Sequence, residues 1–140
     1  MTDYVLQAED VAIHYGGVKA VDGVALTLEK GQIRGLIGPN GAGKSSLLLG
    51  WAGLLEPTAG DVRLDGASLA SLHPRARAQA IGYLPQTPDI AWDVSVDSLV
   101  ALGRLPWKGA PGDDAISEAI AAMDLQGLRH RSMSEVWCKS

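Results

Sequence analysis

Gly38-Pro39-Asn40-Gly41-Ala42-Gly43-Lys44-Ser45 fits the pattern G-x-x-x-x-G-K-S/T at every required position. That pattern suits one kind of chemistry. A nucleoside triphosphate presents a dense cluster of negative oxygens, and consecutive backbone N–H groups at a glycine turn and a helix N-terminus can point at it together. Side chains would obstruct the approach, so glycines at Gly38, Gly41 and Gly43 and the small Ala42 fit the need, with Asn40 completing the loop. Lys44 supplies a point charge for the β and γ phosphates, the Ser45 hydroxyl can ligate Mg²⁺, and Ser46 caps the same cradle. A chance match would arise in roughly one chain in a hundred of this composition, before flanking elements are required.

Such a loop needs a strand before it and a helix after it. Residues 32–37 are short and apolar at their end, as a buried strand would be, and residues 44–52 are helix-compatible, with Leu47, Leu48 and Trp51 at helical spacing and Gly53 as terminator. Upstream, the alternation in residues 5–14 and 18–29 predicts two antiparallel strands divided by Gly16-Gly17. Downstream, residues 61–64 read as a strand followed by a turn at Asp65-Gly66, residues 74–80 as a short proline-opened helix, and residues 81–84 as another strand. Thr87-Pro88-Asp89 reads as a loop. The texture then becomes helical, with helices over 96–103 and 113–123 joined by a Pro- and Gly-containing loop at 105–112.

The loop wording Gly-Pro-Asn-Gly-Ala-Gly-Lys-Ser resembles the Walker A motif of ABC-transporter ATPases more closely than that of other P-loop proteins, and other segments agree with it. His14-Tyr15-Gly16-Gly17 looks like that family's A-loop, which makes Tyr15 the platform that stacks on adenine, with Val21 lining the same pocket. Stacking needs only a flat π face and is worth on the order of 1–3 kcal/mol. Tyr83-Leu84-Pro85-Gln86 resembles the Q-loop, which implies that Gln86 reaches Mg²⁺ and the attacking water. Lys44 and Gln86 are thereby the candidate catalytic residues, and Ser45 and Gln86 the candidate metal ligands. Residues 101–107, Ala-Leu-Gly-Arg-Leu-Pro-Trp, look like the helical subdomain of importers for iron-siderophore complexes, haem or cobalamin.

The resemblance implies an α/β fold: the N-terminal part of an ABC ATPase nucleotide-binding domain, with an antiparallel β subdomain, the P-loop strand and helix, and the start of the helical subdomain. On this reading residues 1–86 form the β subdomain and P-loop core, 87–135 a portion of the helical subdomain, and 136–140 a divergent tail. The implied cofactors are ATP and Mg²⁺. The implied partners are a membrane permease subunit and, in the full-length form, a second copy as a homodimer, at the cytoplasmic face of the membrane. Met133-Ser134-Glu135 stands where the family leads into its Leu-Ser-Gly-Gly signature, but Val136 to Ser140 follow instead. A Walker B strand ending in Asp-Glu and the later switch histidine are likewise missing from these 140 residues, and His14, His73 and His130 read as surface or packing residues. Weak ATP binding with negligible turnover is the resulting expectation, together with poor solubility from an uncovered P-loop strand. The alternatives are a non-catalytic regulatory nucleotide-binding module and a gene fragment without function; Tyr15 and Gln86 at family spacing argue against a kinase or GTPase.

Composition fits that reading. A net charge of -4 and a pI of about 5.2 leave no broad basic footprint, so nucleic acid is not an expected partner. The N-terminal residues lack the flank and apolar run of a secretory signal, and the most apolar stretch, residues 47–55, is too short to cross a bilayer, so cytoplasmic placement without direct membrane insertion is expected. Cys138 is the only cysteine and reads as a chance thiol.

Overall fold

The computed structural model describes residues 3–87, 93–107 and 113–137, in two compact units, Met1–Tyr83 and Leu84–Ser140. In the first, β1 (Tyr4–Tyr15) and β2 (Val18–Glu29) form a long antiparallel hairpin, with β3 (Ala59–Leu64) on the other side of β1 and the two-residue β4 (Ala67–Ser68) at the edge. The sheet order is β2-β1-β3-β4. Between β2 and β3 the chain runs through the glycine loop into α1 (Lys44–Trp51).

One face of the sheet is buried, although the alternation of β1 breaks at Glu9-Asp10, where the register shifts and Asp10 takes φ 48°. Ala8, Val11, Ile13, Val21 and Val62 from the sheet meet Leu47 of α1 and Leu69 in one cluster, and seven such side chains withdrawn from water account for most of the drive to dock the helix on the sheet. Gly50 lets α1 approach closely, since a Cβ there would stand 3.1 Å from Ile13 Cδ1. The β3–β4 turn falls at Asp65-Gly66 as expected, with φ of 48° and 81°, the conformation that a two-residue hairpin of this type demands. Asp61 braces that hairpin by accepting from Ser68 Oγ (2.6 Å) and Arg63 Nε (2.9 Å), and these two donors hold its carboxyl below the ordinary range.

Two expected strands are absent. Residues 32–37 and 81–84 join no sheet among the described residues. Ile33 is 100% exposed, Ile37 96% and Leu84 89%. An apolar run encodes a strand only where a neighbour supplies the facing N–H and C=O groups, and the described sheet has no strand adjoining either run. Ile37→Ser is therefore expected to change the folding stability of this chain by no more than about 0.5 kcal/mol in urea denaturation. A loss of about 2 kcal/mol, the signature of a buried isoleucine, would contradict the arrangement.

The short helix expected at 74–80 is present as α2 (Pro74–Ala80), where Pro74 occupies the first turn and His73 Nδ1 accepts from the Arg75 amide.

The second unit is helical, as expected. It contains α3 (Val96–Leu102), α4 (Asp113–Ala122) and α5 (Met133–Trp137). Ser95 caps α3 by accepting from the Ser98 amide. Arg129 ties the helices together, donating to Asp97 Oδ1 at 2.6 Å and to Ser117 Oγ at 3.1 Å, while Val96 and Ile120 are buried. Part of the expected 105–112 loop is a 3₁₀ turn, Leu105–Trp107, with the Arg104 guanidinium 5.3 Å from the Trp107 ring centroid. α5 was not expected, although Ser132-Met133-Ser134-Glu135 has the spacing of a capping box and the Glu135 amide does donate to Ser132 Oγ. Readings at residues 1–2, 88–89 and 108–112, and at Cys138 in the tail, lie outside the described residues.

Candidate functional site

The glycine loop is held from below by β2. Gly43 has φ 87° and immediately precedes α1, with no side chain capping the helix. A Cβ at Gly43 would lie 2.0 Å from the Ala20 carbonyl oxygen and 3.3 Å from Val21 Cγ2, so the loop backbone rests directly on the strand. Val21 is buried in the core under this contact, while its neighbour Ala20 lines the pocket above. Sequence reasoning missed Ala20, because an alanine in a strand carries no signal until the loop is seen lying across it.

The first helical hydrogen bond of α1 runs from the Leu47 amide to Gly43 O, at 2.9 Å. The amides of Lys44, Ser45 and Ser46 precede it and have no intrahelical acceptor. Neither an acidic residue in the first turn nor a basic one in the last offsets the helix dipole, so the N-terminus keeps its partial positive charge. Asn40, Gly41, Gly43, Lys44, Ser45 and Ser46 join Ala20 around a pocket of about 420 Å³ at this end of the helix.

Lys44 folds back over the loop. Its Nζ donates to Gly38 O at 2.6 Å and to Pro39 O at 2.7 Å, and the Ala42 amide closes a turn on Pro39 O at 3.2 Å. The ammonium is thereby fixed beside the free amides, with one of its three donors left for an incoming oxygen.

Tyr15 ends β1, opposite Val18, and is 49% exposed. Its hydroxyl shares a hydrogen bond of 3.2 Å with Ser46 Oγ in the first turn of α1. Residues 31 positions apart are thus joined, and the aromatic ring stands next to the helix that carries Lys44 and Ser45. Gln86 is an exposed residue at a bend in the second unit. Among the described residues no group of three or more His, Cys, Asp or Glu side chains could hold a metal ion on its own. A cation at the Ser45 hydroxyl would have to share its coordination with phosphate oxygens and water, as Mg²⁺ characteristically does.

A glycine loop that cups the N-terminus of a helix, locked by its own lysine, defines a protein of the P-loop class. The ABC transporter family matches residues 21–138, and the chain belongs to that family. It is 42% identical over 130 residues to the hemin import ATP-binding protein HmuV of Pseudomonas entomophila, covering 91% of this chain and 51% of that protein. The protein of the same name from Nocardia farcinica is 41% identical over 118 residues, covering 81% and 41% respectively. Among solved structures, an ATP-binding subunit of an ABC transporter superposes with a TM-score of 0.77, and cbiO1 of Clostridium perfringens, part of the ABC transporter complex cbiONQ, with 0.71. Both are 24% identical, which speaks for the fold, and 54% of each is covered. The chain spans about half the length of the curated relatives it matches. No helix among the described residues is long and apolar enough to cross a membrane.

Proposed function

We propose that this chain carries the ATP-binding half-site of an importer ATPase, with the triphosphate seated on the loop from Gly38 to Ser46. The observation that carries this reading is the pair of short bonds from Lys44 to Gly38 O and Pro39 O beside three helix amides without intrahelical acceptors. Those groups gather positive charge and donors around one pocket of about 420 Å³ and are already placed by the fold.

The residues divide the work by position. Gly38, Asn40, Gly41, Ala42 and Gly43 present backbone to the phosphates, and Lys44 places its charge where negative charge accumulates on the β and γ oxygens. Tyr15 offers its exposed face to adenine, and Val21 supports the pocket from beneath. Ser45 is the residue that would hold Mg²⁺, and Gln86 is a candidate ligand by its motif alone. Bound there, Mg²⁺ would neutralise phosphate charge and orient the terminal phosphoryl group.

The names of the curated relatives support hemin import as the cargo class, within the broader group that takes up haem, iron-siderophore complexes or cobalamin. A membrane permease subunit is the partner this implies, at the cytoplasmic face, together with a second ATPase subunit in the assembled transporter.

Calorimetry with ATP and Mg²⁺ on the purified chain tests the reading. Saturable binding is expected, with steady-state hydrolysis negligible for these 140 residues alone because the groups that polarise water are not among them. Absence of binding would overturn the reading, and hydrolysis at a rate typical of enzymes would overturn the division of labour.

A further inference from the structure

The hydrogen bond between Tyr15 and Ser46 joins two parts of the site that the chain otherwise builds separately. Tyr15 stands at the end of a 12-residue strand, beside the Gly16-Gly17 turn, and about half of its surface faces solvent. A ring in that position can swing about χ1 and χ2 unless something holds its far end. What holds it is Ser46 Oγ, at 3.2 Å, from the first turn of α1. The backbone on either side is already fixed: the His14 amide donates to Thr58 Oγ1 at 3.0 Å, and Tyr15 pairs with Val18. The helix end is fixed by the contact of Gly43 with Ala20. The single side-chain bond therefore determines where the aromatic face sits relative to the Lys44 ammonium and the Ser45 hydroxyl, two positions and one position earlier on the same helix.

From this we infer that Ser46 is a positioning residue for base recognition: its hydroxyl tethers the Tyr15 ring to the phosphate-binding helix and sets the span between adenine platform and phosphate cradle. The inference rests on the proposed ATP site and adds a role to Ser46 beyond the cradle itself. A platform pre-set at the right span spares the nucleotide the entropy of ordering the ring. Loss of the tether leaves the stacking face intact, so its cost is borne by the base and not by the phosphates.

Tyr15→Phe keeps the π face and removes only the hydroxyl, which makes it the informative variant. It is expected to weaken ATP-Mg²⁺ binding about three- to tenfold, the size of one net hydrogen bond. Binding of inorganic triphosphate, which lacks a base, should be unchanged. In the Ser46→Ala background the same Tyr15→Phe change should have no further effect on ATP, and Ser46→Thr, which keeps a hydroxyl, should restore it. Independent, additive losses from the two substitutions, or an equal loss for inorganic triphosphate, would overturn the tether.

Aromatic ¹³C NMR of the nucleotide-free chain separates the tether from the ATP site. Ser46→Ala should shift the Tyr15 ring resonances while leaving those of Tyr4 and Tyr83 in place. If no form binds ATP but this shift occurs, the ATP reading fails and the tether stands. If the Tyr15 signals do not move, the tether fails whatever the nucleotide does.

Discussion

Lys44→Ala is expected to lower affinity for ATP-Mg²⁺ about ten- to a hundredfold, because a charge-assisted contact to a phosphate oxygen in a partly enclosed pocket is worth about 1.5–3 kcal/mol and one donor of Lys44 is left for such a contact. The effect on folding should be much smaller. Lys44 gives up two bonds to loop carbonyls, Gly38 O and Pro39 O, whose net contribution is about 1–2 kcal/mol together, and the carbonyls left behind are exposed to water. Lys44→Met, which keeps the aliphatic stem, separates charge from packing and should bind as poorly as Lys44→Ala. Calorimetry and urea denaturation on the same samples check both halves of the expectation. Binding within a few fold of the parent chain would mean that the triphosphate lies elsewhere. A collapse of folding would mean that the lysine is chiefly a strut for the loop.

The sequence was most informative where chemistry constrains residue identity. The loop could be read because a phosphate-binding loop calls for two glycines, a lysine and a serine at fixed spacing; the structure has Gly43 at φ 87° and Lys44 Nζ bonded to its own loop. The β1–β2 hairpin could be read because one buried face enforces alternation. Residues 32–37 misled for the same reason in reverse: Ile33, Leu36 and Ile37 are apolar as a buried strand would be, but burial is a property of a strand and its neighbours, and here they are exposed. The Tyr15–Ser46 contact was beyond reach because no local pattern links positions 31 apart. Tyr15 is legible by its aromatic match and Ser46 as a neighbour of the glycine loop, but only the fold shows that they touch.

The second large effect is expected at Gly43. Gly41 and Gly43 both have positive φ, 85° and 87°, so alanine at either site pays the left-handed penalty of roughly 1–2 kcal/mol. Their surroundings differ. A Cβ at Gly41 meets nothing within 4 Å, whereas one at Gly43 would be 2.0 Å from the Ala20 carbonyl oxygen, part of the β2 backbone. A carbon and an oxygen cannot approach so closely, and the strand cannot retreat without opening the core around Val21 and Leu47, buried to 5% exposure each. The start of α1 must therefore lift from the sheet. Gly43→Ala should cost at least about 3 kcal/mol of stability, against roughly 1–2 kcal/mol for Gly41→Ala. It should also abolish ATP binding, since lifting the helix end moves the Lys44, Ser45 and Ser46 amides away from the loop they complete. Denaturation midpoints for the two variants, measured side by side with ATP calorimetry, give the comparison directly. Equal midpoints would show that the loop does not rest on β2, and retained binding by Gly43→Ala would show that the helix amides are not what the triphosphate meets.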